Sequence, residues 1–322
     1  MNAIEAIKKV GRGRDSARPL DRAQAQAIFG QMLDGTIEPL QLGALLMAWR
    51  IKGEAAAELA GFLDAAQARI APIRIESGGD QPPLVVIPSY NGARARANLL
   101  PLLALLLREA GARVLVHGVS SDPKRVTTGQ IMAALGVPAC RDTDEIVRAL
   151  NADRLAFVTV DTLAPALARL LALRWQMGVR SSGHTIVKML DPVPSAALRL
   201  LSVTHPAYID AMREYYAAYP SSLLLMRGTE GEAVVRSARP QAIEWLHAGR
   251  CETVLDADDR DPPGGEAGLP EASDIGATAR WIESALADRE RVPAPIEAQA
   301  GCIMRAAAAS NMPRPALEAS LR

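Results

Sequence analysis

Aromatic side chains are scarce, only 4% of the 322 residues. Proteins that hold single-stranded nucleic acid usually stack bases on aromatic platforms, so an extensive surface of that kind is excluded. Net charge is missing as well, because 36 basic residues face 36 acidic ones. No global excess of either sign points to a polyanion or a membrane, and any electrostatic role must come from how the charges are distributed. The three cysteines, Cys140, Cys251 and Cys302, are far apart. They offer neither a metal-binding spacing nor a disulfide framework, which suits a reducing cytoplasm. The most apolar run, Leu99 to Leu107, is about half the ~20 residues a membrane span needs. Lys8, Lys9, Arg12 and Arg14 make the start basic, but no apolar stretch follows, so no secretory signal is expected. A Walker loop, a dinucleotide fingerprint, a Ser-His-Asp arrangement and zinc-ligand spacing are all absent.

What is present is a change of pattern along the chain. Residues 1–75 read as helical. A short helix is expected over Asn2 to Val10. Asp21 can cap a second helix and Gln24 completes a box-like pair, with Ala25, Ile28, Phe29, Met32 and Leu33 at helical spacing and Gly35 as the stop. Further helices are expected over Pro39 to Lys52 and Ala55 to Ile70. Helices this short bury little by themselves, so they must pack on the rest of the chain or on a second copy. Pro72 to Pro83 reads as a linker. After it, short apolar runs alternate with helical stretches: strands at 84–87, 114–116 and 157–160, and helices at 99–111, 128–135 and 163–177. Later strands are expected near 200–203, 223–226 and 233–236, and helices near 275–288 and 295–309. Asp256 to Gly268 reads as an acidic surface loop. The alternation predicts an α/β fold: a small all-helical N-terminal domain, and a large α/β domain over 76–322 with a mostly parallel sheet.

Several segments, in this order, resemble the superfamily of anthranilate phosphoribosyltransferases and nucleoside phosphorylases (glycosyltransferase family 3). They are Gln41 to Ala48 with Ile51-Lys52-Gly53; His117-Gly118; Val126-Thr127-Thr128-Gly129; Ala134-Leu135-Gly136; Arg174 with Met177 to Arg180; and Asp191-Pro192-Val193. The resemblance covers nearly the whole chain. It implies a small domain that dimerises through the N-terminal helices and is joined by part of 165–192.

The departures from that pattern matter more. Where the enzymes have a Gly-Thr-Gly-Gly-Asp loop around a diphosphate, this chain reads Ile87-Pro88-Ser89-Tyr90-Asn91-Gly92. One glycine remains, Pro88 has no N–H, and Tyr90 adds bulk, so the amide-rich curl is expected to be lost. The enzymes' paired Asp-Glu, which helps hold magnesium, falls here at Arg227 to Glu232, where Glu230 and Glu232 are split by a glycine. Octahedral magnesium tolerates displaced ligands poorly. Arg174 matches an arginine that contacts anthranilate. The rewritten loop, Ser89 to Pro101, looks like the YbiB branch of the superfamily. That resemblance implies nucleic-acid binding without established phosphoribosyl transfer.

Charge distribution bears on this. Ser89 to Gln130 carries a net +4, including Arg94, Arg96, Lys124 and Arg125. Residues 169–199 carry another +4, including Arg174, Arg180 and Lys188. Residues 1–22 carry +3, and Asp256 to Asp274 carries −6. A neutral chain can thus present a basic groove, which two-fold symmetry would lengthen. Tyr90 and Trp175 are the candidates for base stacking. Thr127 and Thr128 are candidates for an anion nest at a helix start. His117 ends a strand beside a glycine, where ligands commonly sit. His184 suits phosphate binding or helix capping. Two readings stay open. One is a non-catalytic dimer binding DNA or RNA phosphates with little sequence preference, without cofactor. The other is a glycosyl or phosphoribosyl transferase for an unknown acceptor, with Mg2+ on Glu230 and Glu232.

Overall fold

The computed structural model describes residues 1–13, 16–76, 81–194, 197–239, 241–258 and 268–311. Arg14 and residues 259–267, most of the acidic stretch, lie outside them. Four helices open the chain: α1 (Ala3–Val10), α2 (Arg22–Asp34), α3 (Pro39–Lys52) and α4 (Ala56–Gln67). Asn2 and Glu5 form a complete capping box on α1. Asp21 accepts the Gln24 N–H at 2.8 Å and Gly35 closes α2 in the left-handed region. The box-like pair expected there is only half formed, because the Gln24 side chain accepts from Lys9 Nζ instead, at 2.9 Å.

These helices bury one aromatic cluster. Phe29 stacks on Phe62 at 4.6 Å, and Trp49 meets Phe62 edge-on at 4.8 Å. The approach of α4 to α2 depends on Gly61, since a Cβ there would come within 2.3 Å of the Arg22 carbonyl. Beneath the cluster lies Glu58, which is fully buried. Its carboxylate accepts from Leu20 N, Trp49 Nε1, Lys52 Nζ and Ala55 N at 2.6–3.0 Å.

The chain continues as β1 (Leu84–Ser89), α5 (Leu100–Glu109), β2 (Arg113–Gly118), α6 (Thr128–Ala134), β3 (Ala139–Cys140), α7 (Thr143–Ala152) and β4 (Leu155–Thr159). Four short helices follow: α8 (Val160–Leu163), α9 (Pro165–Ala172), α10 (Arg174–Met177) and α11 (Gly183–Met189). The rest is β5 (Ala197–Val203), α12 (Pro206–Ala218), β6 (Leu223–Arg227), β7 (Ile243–His247), β8 (Arg250–Leu255), α13 (Ile275–Ala287) and α14 (Ala294–Asn311). Two compact units result. One holds Met1–Ala71, Val160–Pro192 and Ala211–Tyr219. The other holds Pro72–Thr159, Val193–Asp210 and Pro220–Arg322.

The larger unit is built on one sheet of order β3-β4-β2-β1-β5-β6-β7-β8, parallel from β3 through β6 and antiparallel thereafter. Pairing puts Val85 beside Val114 and Leu198, and Val116 beside Phe157. These residues share the face that packs into the main core with α5, α6, α13 and α14. The alternate positions, such as Val86, Leu115 and Leu201, are buried too, so the strands read as unbroken apolar runs.

Two sequence expectations need correction. The helix expected over 163–177 is broken into α8, α9 and α10, because Pro165 has no N–H to continue a helix and starts a new one. The strand expected at 233–236 does not form. Ala233, Val234 and Val235 are buried, and the Val235 N–H is taken by the Gln299 side chain at 2.9 Å rather than by a strand. Other elements, among them β3, α7, α12 and the β7–β8 hairpin, had no counterpart in the sequence reading.

Candidate functional site

The strand order places a switch point beside β1, where the chain moves first to β2 on one side and later to β5 on the other. In open α/β sheets the crevice beyond the carboxyl ends at such a point is the usual ligand position. Here the loop after β1 meets the turn after β6, and both belong to the larger unit.

The loop keeps its amides, which corrects the expectation that the curl was lost with its glycines. Glu232 Oε1 accepts the N–H groups of Asn91 at 2.7 Å and Gly92 at 2.6 Å, and its Oε2 accepts from Ser89 Oγ at 2.5 Å. Glu230 Oε1 accepts the N–H groups of Ala95 at 2.8 Å and Arg96 at 3.0 Å. Its Oε2 accepts Arg94 N–H at 3.0 Å and Arg125 Nη1 at 3.3 Å. Five main-chain amides therefore converge on two carboxylates of the same chain. Converging N–H groups of this kind form an anion nest, and this one carries its anions covalently attached.

The turn that delivers them is tight. Glu230 sits at φ 52 and Gly231 at φ 93. A non-glycine residue in that region is uncommon, and such strain persists only where surrounding bonds hold it. The amide bonds to the Glu230 carboxylate supply that hold. A Cβ at position 231 would lie 1.7 Å from Asn91 Nδ2. Asn91 Nδ2 itself donates to the Glu230 carbonyl at 2.8 Å, and Ser202 Oγ donates to the Gly231 carbonyl at 2.7 Å.

This geometry bears on the metal alternative. Each oxygen of Glu230 and Glu232 already faces N–H or O–H donors, whose positive ends would repel a cation at the same lone pairs. The residues present do not fit magnesium. Among the described residues, no three of His, Cys, Asp and Glu gather as metal ligands would.

The other expected site residues fall into three groups. Tyr90 is 4% exposed, with its hydroxyl 2.7 Å from His117 Nδ1, so it offers no face for a base. Thr127 and Thr128 are buried. The Thr127 hydroxyl caps α6 and donates to the Ser120 carbonyl, and Thr128 Oγ1 accepts from Asn98. Their hydroxyls are thus spent inside the fold rather than held out for an anion. Arg125 is tied to Glu230 and the Gly92 carbonyl. Arg113 and Arg199, which counted toward the basic segments, are buried, and Arg113 is held by the carbonyls of Glu76 and Pro82.

Arg94 and Lys124 remain exposed, and Arg96 is half-buried. They stand on neighbouring loops, joined where Ala93 and Val126 exchange backbone hydrogen bonds at 2.9 Å. Lys124 rides a turn whose N–H is held by Asp122 at 2.9 Å.

In the helical unit, Lys8 and Arg12 are exposed, Arg12 Nε donates to the Lys8 carbonyl at 2.7 Å, and Lys9 is turned to Gln24. Arg174, Arg180 and Lys188 gather near His184. Its Nδ1 accepts the Ser181 N–H at 3.2 Å, just ahead of α11, whose N-cap position Ser182 makes no side-chain cap bond, so His184 does not cap the helix. Burial, then the charges of Arg180 and Arg174 and, more weakly, Lys188, lower the pKa of His184 to about 3.

His117 is fully buried, and burial first, then the charge of Arg199, lowers its pKa to about 3. It is neutral in the fold at physiological pH, which does not suit an anion-binding role. Between about pH 6.5 and about pH 3 the unfolded chain therefore binds a proton at His117 that the folded chain does not. Stability must fall as pH falls through that window, by about 1.4 kcal/mol per pH unit for each such histidine. Urea unfolding midpoints between neutral and mildly acid pH should show the decline, and His117→Leu should make it shallower.

Comparison with known proteins agrees with this architecture. Residues 4–70 match the family described as the glycosyl transferase family, helical bundle domain. The chain is 40% identical to YbiB of Escherichia coli (strain K12) over 305 residues, 94% of each chain. It is 27% identical to the anthranilate phosphoribosyltransferase of Anaeromyxobacter sp. (strain Fw109-5) over 242 residues, 72% of this chain and 68% of that one. Its fold is similar to that of anthranilate phosphoribosyltransferase from Thermus thermophilus, with a TM-score of 0.71, 21% identity, and 96% and 90% of the two chains covered. It is also similar to the Saccharomyces cerevisiae enzyme in complex with PRPP and Mg, with a TM-score of 0.69, 13% identity, and 96% and 95% covered. The fold is thus that of an anthranilate phosphoribosyltransferase-like protein. Within that superfamily, the chain belongs to the YbiB family. Among the described residues, no helix is long and apolar enough to cross a membrane.

Proposed function

We propose that the protein is a nucleic-acid-binding, non-catalytic member of its superfamily, gripping phosphates with little sequence preference through side chains rather than through the diphosphate loop. One observation carries this reading: the five loop amides are bonded to Glu230 and Glu232, while Arg94, Arg96 and Lys124 stay on the outer side of the same loops. Anion binding has moved from backbone to surface cations. Phosphoribosyl transfer would require both carboxylates to release their donors before a diphosphate and metal could enter.

A dimer is part of the proposal. Helix α3 is apolar on two sides. Leu45, Leu46 and Trp49 are buried, while Leu40, Ala44, Met47 and Ile51, one stripe at helical spacing, are exposed. Such a stripe fits a second copy of the same helix. Three free cysteines suit a cytoplasmic protein.

The test is salt-dependent binding to DNA and RNA. The combined variant Arg94→Ala, Arg96→Ala, Lys124→Ala should flatten the slope of log affinity against log salt. Each phosphate no longer neutralised is worth about 0.7–0.9 in that slope, so the change should be about two to three. An unchanged slope and affinity would remove this surface from the account.

A further inference from the structure

Trp175 is one of two large aromatics that the fold leaves exposed among the described residues, the other being Tyr208 at 38%. Trp175 is 50% exposed, whereas Trp49 is fully buried and Trp245 is 7% exposed. It sits on α10, a single turn closed by Gly178 in the left-handed region. The Arg174 guanidinium packs over the indole, its Cζ 4.2 Å from the ring centroid. Leaving half of an indole in water is unfavourable by the measure of its apolar area, and a core role does not explain it. A membrane anchor would need apolar neighbours, whereas Arg174, Gln176 and Arg180 flank this one.

The surroundings are cationic. Arg180 follows two residues after Gly178 and immediately precedes Ser181, whose N–H donates to His184 Nδ1. Lys188 lies one turn beyond His184 on α11, on the same side of that helix. All of these residues belong to the helical unit. With His184 uncharged, the group's positive charge comes from Arg174, Arg180 and Lys188, and the Glu54 carboxylate stands among them, accepting from Ser182 Oγ at 2.5 Å.

We propose that Trp175, backed by Arg174, is a stacking platform for one unpaired base. A flat π-face recognises any base, and a cation behind the ring strengthens the stack. A base inside a duplex presents no free face, so the platform distinguishes single strands from duplexes. This rests on the nucleic-acid reading above and deepens it, since the loop cations alone would hold phosphates of either form.

The experiment compares the full chain with Trp175→Ala and Trp175→Phe by fluorescence anisotropy, using a labelled oligothymidylate and a labelled duplex at fixed salt. Trp175 is half exposed, so both variants should fold, which far-ultraviolet circular dichroism checks. Trp175→Ala should weaken the single strand by about 5- to 150-fold, the worth of one stacked base. It should leave the duplex unchanged, and Trp175→Phe should recover most of the loss. Equal weakening of both forms, or none, overturns the platform while leaving the phosphate grip standing. If the unaltered protein binds neither form, the nucleic-acid reading itself fails. If Trp175→Ala instead breaks the dimer, the indole serves a protein interface and the platform is wrong.

Discussion

Glu232→Ala should destabilise the larger unit by about 3–5 kcal/mol, because it strips the acceptor from three buried donors at once and each unsatisfied donor costs about 1–3 kcal/mol. The donors are Asn91 N, Gly92 N and Ser89 Oγ. The loss is a large share of the ~5–15 kcal/mol typical of a folded domain. Glu232→Gln should cost less, since one oxygen remains to accept, but not nothing, because its amide would face a donor. Denaturant unfolding of both variants measures this. A specific consequence separates the account from ordinary loss of packing. If the carboxylates stand where an anion belongs, the variant Glu230→Ala, Glu232→Ala should be stabilised by pyrophosphate added to the solution, and the unaltered protein should not. A variant that is destabilised but deaf to pyrophosphate would mean that the loop is only a structural knot.

Glu58→Ala should cost a comparable ~3–5 kcal/mol in the helical unit, the usual result of removing one partner of a buried charge pair. Glu58 is fully buried, and Lys52 would be left 12% exposed without its counter-ion. The N–H groups of Leu20 and Ala55 and the Trp49 indole would lose their acceptor as well. Glu58→Gln should retain part of the network and about half of the stability, since it keeps one acceptor oxygen but not the charge. Because Glu58 pins the start of α4 and the end of α3 together, its loss should also blur the exposed stripe on α3. A fall in dimer affinity alongside the fall in melting temperature is expected, measured by sedimentation against concentration.

Much of the helical unit could be read from the chain. Asp21, Gly35 and Gly53 mark helix ends by local chemistry, and the structure puts α2 and α3 within those marks. The parallel strands were legible because burial on both faces makes continuous apolar runs. The β7–β8 hairpin was not, because its turn, Ala248-Gly249, has both residues at positive φ. Asn-Gly usually signals that turn, and alanine at its first position hides it. Helix α7 carries local signals in the chain, with Asp142 capping it and Ile146 and Leu150 one turn apart on its buried side.

The site was legible only in part. The unusual loop at 88–92 and the acidic pair at 230 and 232 each stood out as departures from the superfamily pattern. That one fills the other could not be seen, because their hydrogen bonds join residues 134 to 143 positions apart. Local spacing carries no signal over that distance. The same holds for Tyr90, whose bulk suggested an obstructed crevice, whereas its hydroxyl ends on His117 within the core.

A calorimetric titration of the unaltered protein with phosphoribosyl diphosphate and magnesium bears most directly on whether the crevice at the switch point is already filled. Two resident carboxylates holding all five amides predict no saturable heat even at millimolar ligand. Tight, stoichiometric binding that depends on magnesium would contradict it.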